Sequence, residues 1–229
     1  MELGWSDRDE AVAAELASLA RSGRYGRSIA LAGFMGVGKS SVGRLLAAVL
    51  DRPFYDTDDH VEETTGRAID SFFPDEEPLF RQCEAEAVAD LLARSASVIA
   101  LGGGVLLNES SRRLLRARTL LVHLHVPWRD LSSHIPSLIA TRPLLRGRTR
   151  AEIHRMYLVR LATYRQASLR VTVGRQGSAE AAADVLRAIR SLEGPSPSAE
   201  QLDGSPTARV LKALARARST SGFDLERTV

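Results

Sequence analysis

The chain has 229 residues, of which 44% are hydrophobic and 26% charged, a composition typical of one α/β domain with appended segments. No apolar run approaches the roughly 18 residues that a membrane span needs, and the first ten residues lack the apolar stretch of a secretory signal. Aromatic residues make up only 5% of the chain and its net charge of +3 is spread along it, which argues against nucleic-acid binding. The single cysteine, Cys83, excludes an internal disulfide, so we expect a protein of the reducing cytoplasm.

The predicted elements fall into three segments. Residues 1–27 predict a helical extension, with its helix over 9–21, and a linker; 28–193 predict an α/β domain; 194–229 predict a Pro/Ser-rich linker and a basic, partly disordered tail. Strands are predicted over 28–32, 53–55, 97–101, 119–126 and 169–173. Helices are predicted over 39–50, 76–94, 109–117, 129–140, 151–166 and 178–192. This alternation predicts a mostly parallel sheet that binds its ligands beyond the carboxyl ends of the strands.

A glycine-rich segment follows the first predicted strand and opens a helix. It reads Gly33-Phe34-Met35-Gly36-Val37-Gly38-Lys39-Ser40 and fits the phosphate-loop pattern G-x-x-x-x-G-K-[ST]. Its glycines let backbone N–H groups point at phosphate oxygens, Lys39 brings charge to the β and γ phosphates, and the Ser40 hydroxyl can bind Mg²⁺. We therefore predict an ATP-binding loop whose contacts come from Gly36, Val37, Gly38, Lys39, Ser40 and Ser41.

An acidic pair, Asp56 and Asp58, follows the second predicted strand. Two carboxylates two residues apart in an extended segment point the same way, so one could support Mg²⁺ while the other accepts a hydroxyl proton. The alternative is a helix N-cap or a solvated turn before a helix over 60–65, because Asp is favoured there. With a phosphate loop one strand away, a functional role is the favoured interpretation.

Further arginines and glycines lie in three other segments. Arg81 is inside a predicted helix, and Gly102-Gly103-Gly104 directly follows the third strand, where glycines permit close approach of a ligand. The basic segment 141–148 contains Arg142 and looks like a lid that could close on the transferring phosphate. Arg165 lies near the end of the next helix. Taken singly, each arginine is more readily interpreted as a surface residue of an arginine-rich chain.

Together and in this order, the motifs resemble the shikimate kinase family over about residues 28–193. The matching blocks are GFMGVGKSSVGRLLA, the DTD of 56–58, TGRAI of 65–69, EPLFRQCE of 77–84, ALGGGV of 100–105, RPLL of 142–145 and the arginines and tyrosine of 160–165. Each block is ordinary among small kinases, but the ordered set is specific. The resemblance implies a P-loop NTPase fold of the α/β class, with a five-stranded parallel sheet flanked by helices and a mobile lid. It also implies transfer of phosphate from MgATP to the 3-hydroxyl of shikimate, in aromatic amino acid biosynthesis.

The resemblance also assigns roles to the matching positions. Lys39, Asp58 and Arg142 are expected to act in catalysis, with Arg142 bridging substrate and phosphate. Shikimate is expected to contact Asp58, Arg81, Gly103, Gly104 and Arg165, with the two arginines clamping its carboxylate. Ser40 and Asp56 are expected to support Mg²⁺. We expect a monomer that binds ATP and a small acidic metabolite, and neither nucleic acid nor a membrane.

Two departures from the family pattern leave alternatives open. The family's adenine-packing arginine is replaced by the stretch Ser133-His134-Ile135-Pro136, and Glu76 stands where a glycine usually precedes the acid of the EPLFRQCE block. One alternative is therefore a kinase of a related acid or cyclitol, such as aminoshikimate or gluconate. Another is a nucleotide-binding regulatory or assembly module that has lost catalysis. That module would lack the lysine, the acidic pair or the lid arginine, and none of these is missing.

Overall fold

A computed structural model describes residues 7–22, 25–174, 177–193 and 210–215 as a sheet flanked by helices. The strands are β1 Ser28–Ala32, β2 Phe54–Asp56, β3 Val98–Ala100, β4 Thr119–His125 and β5 Leu169–Thr172. The α-helices are α1 Asp7–Ser22, α2 Lys39–Leu50, α3 Thr57–Thr65, α4 Glu77–Ala93, α5 Glu109–Arg118, α6 Trp128–Leu131, α7 Ile135–Thr141, α8 Arg150–Tyr164 and α9 Ser178–Glu193. Short 3-10 helices cover Ile69–Phe72, Val105–Leu107, Ser132–His134 and Pro143–Leu145.

The sheet has five parallel strands in the order β2-β3-β1-β4-β5. Ile29 of the central strand pairs with Val98 on one side and Leu120 on the other. Every residue of β4 is buried, as are all but the first of β1, because a parallel sheet covered on both faces requires continuous apolar strands. The predicted five-stranded parallel sheet is confirmed, and each strand end lies within one residue of its prediction.

Helix α2 begins where the glycine-rich loop ends. Gly36 and Gly38 adopt left-handed conformations with φ of 80° and 84°, which glycine reaches without steric cost. Gly38 is the N-cap and supplies no side-chain hydrogen bond, so the first turn of α2 depends on other groups to satisfy its N–H donors. One face of the helix is anchored in the core by buried apolar residues: Val42, Leu45, Leu46, Ala47 and Val49. The N-terminus of α2 is thereby held beyond the carboxyl end of β1.

The segment after β4 differs from its prediction. A single helix over 129–140 is wrong, because the structure has α6, one 3-10 turn over Ser132–His134 and then a new helix, α7. Pro136 explains the break: proline lacks the N–H that a continuing helix needs, but it is tolerated in the first turn of a new one. The predicted lid segment follows α7 and forms the 3-10 turn Pro143–Leu145.

The N-terminal extension packs onto the α/β domain. The predicted helix over 9–21 is confirmed as α1, which lies against α9 and α2, and its Leu16 is fully buried in the main core. In the basic tail, residues 210–215 are helical, with Val210 and Leu214 buried in the same core, whereas Lys212 is exposed. The remaining residues of the predicted linker and tail lie outside the described ranges. Among the described helices, none is long and apolar enough to cross a membrane.

Candidate active site

The phosphate loop connects β1 to α2 at the carboxyl edge of the sheet. The Lys39 ammonium donates hydrogen bonds to the carbonyls of Gly33 and Phe34, at 3.1 and 3.2 Å, which folds the side chain over the loop. Burial lowers the pKa of Lys39 to about 8, although the carboxylates of Asp58 and Asp56 oppose this shift. A charge held in this poorly solvated position gains stabilisation when phosphate oxygens approach it.

The first carboxylate of the acidic pair, Asp56, lies beside the phosphate loop. The Ser40 hydroxyl donates to Asp56 Oδ2 at 2.6 Å, and Asp56 Oδ1 accepts from the Asp58 N–H at 3.0 Å. Asp56 is therefore the N-cap of α3 as well as the neighbour of Ser40. A capping role and a functional role for this carboxylate are compatible. The adjacent hydroxyl and carboxylate oxygens are hard donors of the kind that Mg²⁺ prefers.

The second carboxylate, Asp58, belongs to a different element. It lies in the first turn of α3 and not in an extended segment, so the predicted extended geometry of the pair is wrong. Asp58 lines a pocket beyond the sheet, where burial, Asp56 and Glu84 raise its pKa to about 7. A carboxyl group with such a pKa can exchange a proton near neutral pH, which suits a general base.

The pocket that contains Asp58 is bordered by several parts of the chain. Its lining residues are Met35, Asp58, Ile69, Phe73, Phe80, Arg81, Glu84, Gly103, Gly104, Arg142, Leu144 and Arg160. The glycine segment passes close to its charged groups. A Cβ atom on Gly102 would lie 2.5 Å from an Asp58 oxygen, and one on Gly103 would lie 2.8 Å from Arg160 Nη1. A Cβ atom on Gly104 would overlap the guanidinium of Arg81, so glycine is needed here for close approach.

Arg160 occupies the place that the sequence analysis gave to Arg165. Arg165 is the exposed C-cap of α8 and is absent from the pocket lining, whereas Arg160 is only 2% exposed and lines the pocket. Neither Nε nor Nη1 of Arg160 has a hydrogen-bond partner among the described residues. Burial lowers the pKa of this guanidinium, with a further contribution from Arg81. We therefore replace Arg165 with Arg160 as the second arginine of the candidate site.

Arg81 reaches the pocket from α4 with its hydrogen bonds already made. It donates to Glu77 Oε1 and to Glu84 Oε2, both at 2.8 Å. Glu84 is 3% exposed, and this burial raises its pKa even though Arg81 opposes the shift. Neither Glu84 nor Arg160 is among the site residues predicted from the sequence. Arg160 and Tyr164 lie four residues apart and so share a face of α8, but the sequence does not show that this face is buried.

The lid contributes Arg142 and Leu144 to the same pocket, on the side facing the 3-10 helix Ile69–Phe72. Arg146 of the lid forms an ion pair with Asp70 of that helix, Nη2 to Oδ2 at 2.7 Å. The ion pair therefore links the lid to a 3-10 helix whose Ile69 lines the same pocket. Arg142 lowers the pKa of Lys39 by its positive charge, which indicates that both cations act on one region of space.

At the position of the departure from the family pattern, His134 is the residue that precedes α7. Its Nδ1 lies 3.0 Å from the carbonyl oxygen of Asp130 and 3.2 Å from the Ser133 hydroxyl. The ring is thus engaged within its own turn. Leu138 of α7 packs against Gly36, where a Cβ atom would overlap its side chain, so α7 lies directly on the phosphate loop.

Comparisons with known proteins agree on one family. A family model described as shikimate kinase matches residues 35–190. The shikimate kinase of Zymomonas mobilis is 35% identical over 170 residues, which cover 73% of this chain and 96% of that protein. The shikimate kinase of Caulobacter vibrioides is 37% identical over 166 residues, which cover 72% of this chain and 82% of that protein.

Solved structures give the same result. A shikimate kinase from Acinetobacter baumannii in complex with shikimate superimposes with a TM-score of 0.67 and 34% identity, covering 73% of this chain and 95% of that one. The shikimate kinase of Aquifex aeolicus gives a TM-score of 0.64 and 31% identity, covering 72% and 97% of the two chains.

Proposed function

The chain belongs to the shikimate kinase family, and we propose that it transfers the γ-phosphate of ATP to the 3-hydroxyl of shikimate. The observation that carries the proposal is the buried guanidinium of Arg160, whose Nε and Nη1 lack hydrogen-bond partners in the described part of the chain and which lines the same pocket as Asp58. Buried donors without hydrogen-bond partners are costly even where Glu84, Tyr164 and the Phe34 ring attract the charge, so Arg160 points to an anionic ligand. Shikimate brings a carboxylate for Arg160 and ring hydroxyls for Asp58.

The carboxylate end of the acceptor is proposed to bind between Arg160 and Arg81. Guanidinium groups match a planar carboxylate because they can donate two parallel hydrogen bonds. Arg81 is held by Glu77 and Glu84 while Arg160 has free donors, so Arg160 supplies the larger part of the new bonding. Gly103 and Gly104 let the ring approach these groups closely.

At the hydroxyl end, Asp58 is proposed to accept the proton of the attacking hydroxyl. The acceptor oxygen forms a bond to the γ-phosphorus, the bond from that phosphorus to the β–γ bridging oxygen breaks, and ADP leaves with the electron pair. Lys39 and Arg142 offset the charge on the transferring phosphoryl group, which is the main task of protein groups in this chemistry.

Ser40 and Asp56 are proposed to hold the Mg²⁺ that accompanies ATP, because their oxygens are adjacent and half-buried next to Lys39. When bound, the ion neutralises charge on the β and γ phosphates. Asp56 also keeps α3 in place by capping it, so this carboxylate links the phosphate end of the site to the helix that carries Asp58.

The test is an assay of ADP release with MgATP, in which shikimate is compared with quinate, gluconate and AMP. We expect turnover on shikimate and at most a background rate with the others. Turnover on another acid would keep the mechanism and replace the acceptor. No turnover on any of the four, with ATP still bound, would refute the proposal.

A further inference from the structure

The glycine segment Gly102–Gly104 is the part of the pocket that contacts most of its charged groups. Asp58 lies against Gly102, Arg160 against Gly103 and Arg81 against Gly104. A displacement of this backbone by a few tenths of an ångström would change the relative positions of all three groups. Reactions of bound substrates are sensitive to displacements of this size, so the segment has to be held firmly.

One buried hydroxyl holds the segment from the side of the acidic pair. Thr57 lies between Asp56 and Asp58, is fully buried, and its Oγ1 accepts a hydrogen bond from the Gly102 N–H at 2.7 Å. Gly102 is the first residue after Leu101, whose N–H bonds to the Leu31 carbonyl of β1. The Thr57 hydroxyl thus continues the pattern of backbone pairing beyond the end of β3.

A second buried hydroxyl holds the segment from α8. The Tyr164 hydroxyl donates to the Gly103 carbonyl at 2.8 Å, and Tyr164 is only 4% exposed. Tyr164 lies one helical turn after Arg160 and interacts with it electrostatically. The bond therefore fixes the glycine segment relative to the helix that carries the unpaired guanidinium.

We propose that Thr57 and Tyr164 are positioning residues for the acceptor, whose hydroxyls set the distance between Asp58 and Arg160 through Gly102 and Gly103. The inference rests on the proposed function, because it assumes that one acceptor contacts both charged groups. Neither Thr57 nor Tyr164 is among the residues that line the pocket. Both hydroxyls act through the backbone of Gly102 and Gly103, which lies between Asp58 at one end of the acceptor and Arg160 at the other.

The chain supplies a matched control for each hydroxyl. Thr119 is also fully buried, and its hydroxyl donates to the Leu115 carbonyl at 2.7 Å, at the amino end of β4. Tyr157 lies on α8 two turns before Tyr164, and its hydroxyl donates to the Val126 carbonyl at 3.1 Å. Replacing either control residue removes the same chemical group from a buried bond outside the glycine segment.

The experiment compares Thr57→Val and Tyr164→Phe with Thr119→Val and Tyr157→Phe in the full chain. We expect each of the first two to raise the KM for shikimate about three- to thirtyfold, as the loss of one buried hydrogen bond would. The KM for ATP should stay within about twofold of the wild type. The controls should leave both KM values within the same range, because the hydrogen bonds that they lose lie outside the glycine segment and Tyr157→Phe keeps the ring that packs on Phe34. Thr57→Ser, which keeps the hydroxyl, should restore the KM for shikimate.

The double variant Thr57→Val with Tyr164→Phe separates positioning from local damage. Because both hydroxyls hold the same segment, the second substitution should raise the KM for shikimate less than it does alone. Unchanged KM values in both single variants, or equal changes in the controls, would overturn the proposal. Should Thr57→Val fail to fold, Tyr164→Phe carries the test alone, because it removes a single oxygen and keeps the ring.

A wild-type chain that does not phosphorylate shikimate would refute the proposed function, and the positioning role would then be decided by hydrogen exchange. Faster exchange of the amides of 102–105 in Thr57→Val and Tyr164→Phe, but not in the controls, supports the anchoring of this segment. Equal exchange in all variants overturns it.

Discussion

Replacing Arg160 with methionine should weaken acceptor binding and stabilise the free protein at the same time. The guanidinium is 2% exposed, and its Nε and Nη1 lack partners among the described residues. A hydrogen bond to a charged group is worth about 1.5–3 kcal/mol, so the loss of the carboxylate contact should raise the Kd for shikimate about 10- to 150-fold. Methionine has a similar length and fills the same space with apolar surface.

The stability gain follows from the two unpaired nitrogens. An unsatisfied buried donor costs about 1–3 kcal/mol, and Arg160 also gains some attraction from Glu84 and Tyr164 that methionine would lose. The net gain should therefore be about 2 kcal/mol, which corresponds to a rise in Tm of about 4–8 °C for a chain of this size. A group that binds a ligand but destabilises the unliganded protein exchanges stability for activity.

Two measurements decide the prediction, thermal unfolding without ligands and calorimetric titration with shikimate. Arg165→Met is the matched control, because Arg165 is an exposed arginine on the same helix and lies outside the pocket. It should leave both quantities unchanged. A variant of Arg160 that binds shikimate normally would remove this residue from the acceptor site. A lower Tm would show that the guanidinium has partners that offset its burial.

Three further predictions concern the other charged groups. Lys39→Ala should abolish ADP release while calorimetric binding of shikimate persists; near-normal turnover would contradict the phosphate-loop assignment. Asp58→Asn should lower kcat by about 10²–10⁴, with pH-rate profiles as the measurement. The folded-state pKa of Asp58 is raised from 3.8 to about 7, so its contribution to stability is present below the lower value and lost by the upper one. Unfolding of the Asn variant should therefore depend less on pH in that window. Asp70→Arg should raise the KM for shikimate about two- to fivefold, because the new arginine repels Arg146 of the lid. The double variant Asp70→Arg with Arg146→Asp restores the opposite charges and should recover the wild-type KM. Equal KM values in the wild type, the single variant and the double variant would show that the ion pair does not hold the lid.

The sheet and the phosphate loop could be predicted because each depends on local pattern. A buried parallel strand needs a continuous apolar run, and the loop needs glycine where φ is positive, so both leave a trace in a few adjacent residues. The helix break at Pro136 also follows from local sequence, but the structure that replaces the continuous helix does not. Proline forbids a continuous helix, while the short turn and the new helix that follow depend on packing against the phosphate loop.

The clamp arginine could not be assigned from pattern alone, because the family block contains both Arg160 and Arg165. Five residues along a helix correspond to a rotation of about 140°, so the two arginines cannot face the same pocket. The burial of Tyr164 decides between them, since Arg160 lies one turn away on the same face and Arg165 does not. The apolar spacing of α8 carried this information, but only the packed structure shows which face is turned inward.

The geometry of the acidic pair, Asp56 and Asp58, depends on where β2 ends and α3 begins. The strand ends at Asp56 and the helix begins at Thr57, so the two carboxylates belong to different elements and point to different partners. Asp56 accepts the hydrogen bond of Ser40 next to the phosphate loop, while Asp58 lines the pocket that contains Arg160. The proposed function gives the two carboxylates separate tasks, one at the metal and one at the acceptor hydroxyl, and their placement in two elements suits this division.

Three charged groups of the site, Lys39, Asp58 and Arg160, have pKa values displaced by burial toward their neutral forms. Burial of a charge is unfavourable for folding, so buried charged groups of this kind indicate a site at which ligands complete their bonding. Under the proposed function, phosphate oxygens complete the bonding of Lys39, the carboxylate of the acceptor completes that of Arg160, and Asp58 accepts the hydroxyl proton. A ligand set with two anionic ends and a hydroxyl between them satisfies all three. ATP together with a hydroxylated carboxylic acid has this arrangement, whereas a nucleotide alone leaves Arg160 unpaired.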